Sequence, residues 1–178
     1  GISDLFVTDL EGRVERLTKD KYADLLPSWS PDGGRIAFST DRATTDLTDL
    51  EYGNMRVALL DMESRAIDVL PHQEEGKNLN PMWSPDAQKL IWVSDRTGTN
   101  NLYLYDIAQR ELSRITDVLS GVIAISALSP VISWSKSGSL AFTYFESAGY
   151  NAYVVDDPLT LPRLPVRRAP IVASGDAA

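Results

Sequence analysis

A short motif rich in tryptophan, serine, proline and aspartate recurs along this chain, and no other sequence feature restricts the fold as strongly. The motif occupies residues 27–33 and 81–86 and returns in degraded form at residues 132–138. A strand-like run follows each copy, reading Ile-Ala-Phe, Leu-Ile-Trp or Leu-Ala-Phe. Repetition with a period of about 50 residues is typical of propellers and related repeat architectures. The sequence therefore predicts a structural unit that is used several times.

Each unit contains four short segments with strand-like alternation. In the second copy these are the motif itself and residues 89–94, 101–106 and 111–116. Residues 5–18 repeat the last two segments ahead of the first motif. Four strands of about four to eight residues, joined by tight turns, are typical of a propeller blade. We label the strands of a blade A to D from the axis outwards, and we predict an all-β propeller.

The motif favours a structural role over a catalytic one. Proline presets one backbone angle, aspartate caps the turn and glycine adopts a positive φ, so the A–B hairpin closes tightly. We expect each tryptophan, and the aromatic residue about nine positions later, to pack against a neighbouring blade. The third copy has Lys136 and Ser137 in place of proline and aspartate, which predicts a looser hairpin. The residues assigned to blade architecture are Trp29, Pro31, Asp32, Gly33, Trp83, Pro85, Asp86, Trp134 and Gly138.

These residues resemble the TolB-like propeller repeat, a relative of WD-repeat propellers. The resemblance rests on Trp-Ser-Pro-Asp-Gly, the Ile-Ala-Phe after it, Ser-Asp-Arg and the later Leu-Tyr-Leu-Tyr-Asp, and it covers about residues 3–157. Because these elements recur in one order, the resemblance implies the fold with some specificity. It also implies a bacterial cell-envelope protein, in a periplasmic or secreted setting.

The strand pattern predicts about three blades. It comprises a C–D half-blade at residues 4–18, blades at 27–70 and 81–116, and a partial blade at 131–157, which together make a propeller region over residues 1–157. Propellers typically have at least four blades. We therefore expect an arc of a larger or six-bladed propeller, with the missing blades supplied by a longer parent chain or a second copy. Residues 158–178, with four prolines and three arginines, predict a Pro-rich linker or tail.

Composition excludes several classes of function. The net charge of −8, from 25 acidic and 17 basic residues, argues against nucleic acid and anionic membranes as partners. A chain with no cysteine and one histidine has no disulfides, no thiol catalysis and no multi-histidine metal centre. Residues 118–135 are uncharged, but their serines and Pro130 favour a buried loop and strand start over a membrane span. The opening residues run straight into an apolar alternation, so we expect no leader sequence there.

Two insertions predict where binding takes place. Residues 43–54 lengthen the B–C loop of the first full blade, and residues 117–129 lengthen the D–A loop before the last. In a four-stranded meander both connections leave the same end of the sheet, so both insertions decorate one face. Long loops on a rigid scaffold commonly carry function. The candidate binding residues are Asp41, Arg42, Asp46, Asp49, Glu51, Tyr52, Asp95 and Arg96.

These candidates admit other interpretations. Four carboxylates in residues 41–51 would suit calcium, but their spacing differs from the twelve-residue calcium loop, and a solvated acidic loop is favoured. We assign no metal ligand and no cofactor. The two Asp-Arg pairs recur at one place in the unit, so we expect them to bond across the B–C loop and hold the next strand. Ser133 and Lys136 satisfy Ser-x-x-Lys, but they span a strand and its turn, and we predict no catalytic residue.

The sequence thus predicts a non-catalytic scaffold that binds a protein or peptide through the loops of one face. One alternative is the gating propeller of a prolyl-oligopeptidase-like serine peptidase, whose catalytic domain would lie outside these residues. The other alternative is a calcium- or glycan-binding propeller. We expect neither nucleic-acid binding nor membrane insertion.

Overall fold

The computed structural model describes residues 2–123 and 129–166, so residues 124–128 of the uncharged stretch and residues 167–178 of the predicted tail lie outside it. The described residues form thirteen β-strands and one short 3-10 helix, Pro158–Thr160. The strands make four antiparallel sheets. No helix in the described ranges has the length and apolarity that crossing a membrane requires. The predicted all-β class is confirmed.

The sheets follow one another along the chain, each as a simple meander. The half-blade contains β1 (Phe6–Thr8) and β2 (Val14–Arg16). The first full blade contains β3 (Asp24–Trp29), β4 (Arg35–Thr40), β5 (Arg56–Asp61) and β6 (Ile67–Val69). The second contains β7 (Asn78–Trp83), β8 (Lys89–Ser94), β9 (Asn101–Asp106) and β10 (Glu111–Arg114). The last blade contains β11 (Ile132–Trp134), β12 (Leu140–Glu146) and β13 (Gly149–Val155).

The hydrophobic core lies between the blades. Successive side chains of a strand point to opposite faces of its sheet. On β8, Leu90 and Trp92 accordingly pack in the cluster shared with the first blade. Ile91 and Val93 of the same strand pack in the cluster shared with the last blade. A third cluster joins the half-blade to the first blade. Sheets that bury both faces against neighbouring sheets form an arc of a propeller, as predicted.

The tryptophans of the motif show how one blade packs on the previous blade. Trp83 is buried, its indole Nε1 donates to the carbonyl of Ser28 at 3.1 Å, and the Arg35 guanidinium lies over its ring. The equivalent Trp29 is 47% exposed. The half-blade before it contributes C and D strands only, so among the described residues no A strand lies opposite Trp29. The packing expected of Trp29 is therefore not seen.

The A–B turns close as the motif predicts. The Asp32 carboxylate accepts hydrogen bonds from the Ser30 hydroxyl at 2.5 Å and from the amide of Gly34 at 3.0 Å. The predicted loosening of the third turn is not seen, because the amide of Ser135 donates to the Ser139 carbonyl at 2.8 Å. The hydroxyl of Ser137, 2.9 Å from that of Ser135, takes the place of the aspartate.

The chain beyond β13 does not add a D strand to the last blade within the described residues. It crosses instead to the second blade, where Leu164 pairs with Arg114 at the outer edge of β10. Their two backbone hydrogen bonds measure 3.1 and 2.8 Å. Residues 158–166, the described part of the predicted linker, therefore lie against the propeller.

Candidate protein-binding face

The two ends of the blades form two different surfaces. We call one the loop face; it consists of residues 17–23, 41–55, 70–77, 95–100, 117–123 and 145–150, which are B–C or D–A connections with their flanking residues. We call the other the turn face; it consists of residues 9–13, 30–34, 61–66, 84–88, 106–110 and 135–139, which are A–B or C–D connections. Antiparallel order alternates the connections between the two ends. The predicted insertions lie on the loop face.

Asp41 and Arg42 hold the base of the first long loop. The Asp41 side chain is buried, and it accepts from the amide of Ala23 at 2.8 Å and the Thr45 hydroxyl at 2.6 Å. Arg42 donates to both carboxylate oxygens of Asp24, at 2.8 and 2.9 Å. These contacts fix residues at the start of β3, beside the end of β4.

Asp95 and Arg96 repeat this arrangement in the second blade. Asp95 accepts from the amide of Lys77 at 2.6 Å, and Arg96 donates to the carbonyl of His72 at 2.7 Å. The contacts differ in part from the expectation that these pairs bond across the B–C loop and hold the next strand: Asp41 does bond to Thr45 within that loop, and the Thr45 hydroxyl accepts from the amide of Gly53 at 3.0 Å, but the other contacts lie elsewhere. They hold the connection that enters their own blade, because an antiparallel B strand ends where its A strand begins.

Gly76 shows how closely these backbones approach. It has a φ of +65°, and a Cβ added there would lie 2.5 Å from the Asp95 carboxylate and 2.7 Å from the Arg96 amide nitrogen. The loop face thus has a rigid base, in which the Asp-Arg pairs serve internal contacts.

The remaining predicted residues lie at the tip of the long loop and face solvent. Asp46 and Glu51 pair through two backbone hydrogen bonds of 2.9 and 3.0 Å, which close a small turn. The Asp46 carboxylate accepts from the amide of Thr48, and this bond lowers the pKa of Asp46 below its usual value. Asp49, Glu51 and Tyr52 are exposed.

Of the apolar part of this face, sequence reasoning identified Tyr52 alone. Leu50 is 67% exposed, Tyr52 69% and Leu119 94%, although Leu119 belongs to the stretch predicted to be buried. Phe145 and Tyr150, at the end of the β12–β13 hairpin, are also exposed and stack edge to face with ring centres 5.1 Å apart. Leucines within an acidic loop are the one sequence signal that could have revealed part of this surface. Leu119 adjoins the Phe145–Tyr150 pair, since the hydroxyl of Ser120 donates to the Phe145 carbonyl, and contiguous exposed apolar groups of this kind mark interaction surfaces.

The acidic loop does not gather its carboxylates around a common point. The Asp41 carboxylate points into the fold and that of Asp46 caps a turn. Across residues 2–123 and 129–166, no group of three or more aspartate, glutamate or histidine side chains has a geometry that could hold a metal ion. The described residues therefore supply no observation in favour of the calcium alternative.

The turn face is built from self-capped aspartates. Hydrogen bonds from nearby donors lower the pKa of five aspartates on this face. The strongest donor is the Arg13 amide for Asp9, the Ser30 hydroxyl for Asp32, the Ser64 amide for Asp61, the Ser84 hydroxyl for Asp86 and the Lys89 ammonium for Asp106. After β13 a similar cap is provided by Asp157, whose carboxylate accepts from the amide of Leu159 at 2.9 Å. Within the described turns one large apolar side chain is exposed, that of Leu10, and Val14 and Trp29 beside the turns are exposed as well.

Four sheets in meander order, with a core between them, define the chain as an arc of a β-propeller. No protein-family model matches it. Among curated proteins it is 26% identical over 102 residues to the Tol-Pal system protein TolB of Ruthia magnifica subsp. Calyptogena magnifica, a match that covers 57% of this chain and 22% of that protein. It is also 29% identical over 98 residues to the uncharacterized peptidase YuxL of Bacillus subtilis, which covers 54% of this chain and 14% of the peptidase.

Solved structures give the same fold. TolB from Acinetobacter baumannii superposes with a TM-score of 0.67 at 22% identity, over 89% of this chain and 36% of that chain. Dipeptidyl peptidase 4 from Porphyromonas gingivalis superposes with a TM-score of 0.60 at 13% identity, over 90% of this chain and 29% of that chain. The fold is therefore that of part of a TolB-like β-propeller. The chain spans about a fifth of the TolB relative and about a third of the TolB structure.

Proposed function

We propose that this arc acts as a non-catalytic platform that binds a protein or peptide partner through its loop face. The observation that carries the proposal is the set of exposed apolar side chains on the loop face: Leu50 and Tyr52 in the first blade, and Leu119, Phe145 and Tyr150 at the last blade. Interfaces are enriched in aromatic side chains at their centre and have a polar rim. The loop face offers both, and the Asp-Arg pairs hold it in shape before any partner arrives.

The charge of the loop face indicates the kind of partner. Asp46, Asp49 and Glu51 lie in the same loop as Leu50 and Tyr52, and these three carboxylates form no ion pair with the described residues. Complementary charge speeds association and suppresses wrong partners. The favoured partner presents apolar side chains flanked by lysine or arginine. The likeness to TolB supports a setting in the bacterial cell envelope.

A second candidate is the propeller domain of a peptidase. It is favoured by the match to the peptidase YuxL and by the superposition on dipeptidyl peptidase 4. The test is to determine the coding sequence downstream of residue 178. A Gly-x-Ser-x-Gly segment there would favour the peptidase, whereas a parent chain that ends without such a segment would support the binding platform.

The platform is tested by placing a photo-crosslinking residue at Tyr52 and, in a matched variant, at Leu10 on the turn face. Both positions are exposed, so a difference in crosslinking yield shows which face the partner contacts and does not reflect a difference in accessibility. Purified partners captured from envelope extract are then titrated by calorimetry. We expect the double variant Leu50→Asp/Tyr52→Ala to weaken binding by about tenfold or more, since central interface residues typically contribute 1–2 kcal/mol or more each.

The control is Leu10→Asp, which should leave the affinity unchanged. Equal crosslinking at Tyr52 and Leu10, or an affinity that depends on Leu10, would contradict the proposal.

A further inference from the structure

The outer edge of the second blade has features of a peptide-binding groove. Leu164 pairs with Arg114 as an added antiparallel strand would. Leu159 and Leu161 pack against the core cluster between the second and last blades, and Val166 packs against the cluster between the first and second. An exposed strand edge accepts extended peptides in this way, with backbone hydrogen bonds and alternating side-chain pockets. Residues 158–166 thus occupy a site that another extended segment could occupy.

Donor groups with unused hydrogen-bonding atoms lie at the same place, although Arg96 already donates from Nη1 to the His72 carbonyl at 2.7 Å and Arg114 from Nη1 to the Asp117 carboxylate at 2.6 Å. Four of the six buried polar side-chain atoms without a hydrogen-bond partner in the described residues lie here: Arg96 Nε, Thr97 Oγ1, Tyr103 Oη and Arg114 Nε. The Arg96 guanidinium carbon is 5.7 Å from the centre of the Tyr103 ring, and Arg114 is the cross-strand neighbour of Tyr103. Arg96 and Arg114 are each more than nine-tenths buried. A buried donor left unpaired costs free energy, so the cluster favours an incoming acceptor.

Val166 is positioned at this cluster. Together with His72, Arg96 and Leu112 it lines a pocket of about 350 Å³, whose rim also carries Glu74 and Glu111. In antiparallel pairing, a residue two positions after Leu164 lies opposite the residue two positions before Arg114, which is Leu112. The tail therefore supplies backbone pairing and apolar contact but brings no acceptor to the two arginines.

We propose that this edge binds an extended peptide carrying an acidic residue at the position that Val166 occupies, and that residues 158–166 hold the groove until such a peptide displaces them. The carboxylate would accept from the guanidinium of Arg96 and from the neighbouring hydroxyl and arginine donors. Arginine recognises carboxylates through paired, directional hydrogen bonds. The apolar wall of Leu112 selects an organic carboxylate over a free inorganic anion. This site does not depend on the loop face.

The test uses the full chain with the change Leu164→Pro, which removes the backbone N–H that donates to Arg114 and so loosens the tail. Two fluorescein-labelled peptides are titrated by anisotropy: one with the sequence of residues 157–168, and the same peptide with the change Val166→Glu. We expect the acidic peptide to bind at least tenfold more tightly than the native sequence. The unmodified chain should bind both more weakly than the Leu164→Pro variant does.

Two further variants test the role of the donors. Arg96→Met should remove the preference for the acidic peptide, and Tyr103→Phe, which deletes only the hydroxyl, should reduce it. Circular dichroism establishes that each variant is folded, and Pro165→Ala serves as a tail variant that keeps the Leu164 donor. Equal affinity for the two peptides, or no binding by the folded Leu164→Pro variant, would overturn the proposal. The loop-face variant Leu50→Asp/Tyr52→Ala should bind the acidic peptide as the unsubstituted loop face does. Failure of the peptide-groove proposal is therefore distinguishable from failure of the proposed loop-face function.

Discussion

The turn face and the loop face are built from the same blades, yet they use their polar residues differently. On the turn face, Asp32 and Asp86 bond to hydroxyls and amides within their own turns, and few apolar side chains are exposed. On the loop face, buried Asp41 and Arg96 stabilise the base, and the tips carry exposed leucines and aromatics. One end of the propeller is thus specialised for closure, and the other leaves its surface available for contact.

The difference shows that sequence repetition marks stability better than it marks binding. The capped turns recur in every unit because each blade needs them to close. The residues at the tip of the 43–54 loop have no counterpart in the other units, and neither do Phe145 and Tyr150. In this fold, non-repeated residues on a repeated frame are the better candidates for recognition.

The largest predicted effect concerns the core that supports both faces. Trp83→Ala should lower the free energy of unfolding by about 3–5 kcal/mol, because it empties a fully packed site between two blades. Trp29→Ala, at the equivalent but half-exposed position, should cost only about 1 kcal/mol. Urea denaturation of both variants measures the difference. Equal losses would mean that Trp29 is covered in solution, as a second copy or further blades would cover it.

A second prediction tests whether the base of the loop face is rigid. Gly76→Ala should cost roughly 1–2 kcal/mol for the left-handed backbone and a further 1–3 kcal/mol or so for the clash with Asp95 and Arg96. Gly98→Ala is the matched control, since it has a φ of +85° and open space around it, and it should show only the first cost. Thermal unfolding separates the two. If the Gly76 variant lost no more stability than the Gly98 variant, the backbone of residues 70–77 would be flexible enough to accommodate the added methyl group.

The sequence predicted the frame of this molecule far better than its binding surface. The motif that contains Trp83, Pro85 and Asp86 recurs at the same place in each unit. A turn depends mainly on the few residues that form it, so the hairpins and the strands beside them could be predicted from this motif. Whether a leucine is buried depends on which strand passes over it, which no local pattern records. Leu119 is exposed while Val122, three residues later in the same uncharged stretch, is buried. The direction of the Asp-Arg contacts was also beyond local reasoning, since it depends on which connection lies beside the end of β8.

A third prediction compares aspartates from the two faces. Asp86→Ala should cost roughly 0.5–1.5 kcal/mol, because the carboxylate accepts from the Ser84 hydroxyl at 2.5 Å and the Gln88 amide at 3.0 Å. Asp49→Ala on the loop face should change stability by no more than about 0.5 kcal/mol, as is usual for surface substitutions. Chemical denaturation at pH 7 is sufficient for both. If Asp49→Ala lowered the free energy of unfolding as much as Asp86→Ala does, the acidic loop would contribute to the stability of the fold as the turn caps do.

The smallest effect is expected in the pH dependence of stability, and its sign follows from the turn caps. Hydrogen bonds, from the Ser30 and Ser84 hydroxyls first, hold the pKa of Asp32 and Asp86 below the ordinary value of 3.8. A group whose pKa is lowered by folding contributes stability that is complete above its unfolded-state pKa and is lost as the pH falls through the folded-state value. The free energy of unfolding should therefore decrease below about pH 4 on account of these groups.

The variant Asp32→Asn/Asp86→Asn removes two such carboxyls without changing their shape, so its stability should depend less steeply on pH in that range. Asp49→Asn/Glu51→Gln neutralises the same number of charges at exposed positions of the loop face and serves as the control for net charge. Equal flattening in the two variants would indicate that net charge governs acid stability, and not the caps. The distinction between the two faces would then reduce to their exposed apolar residues.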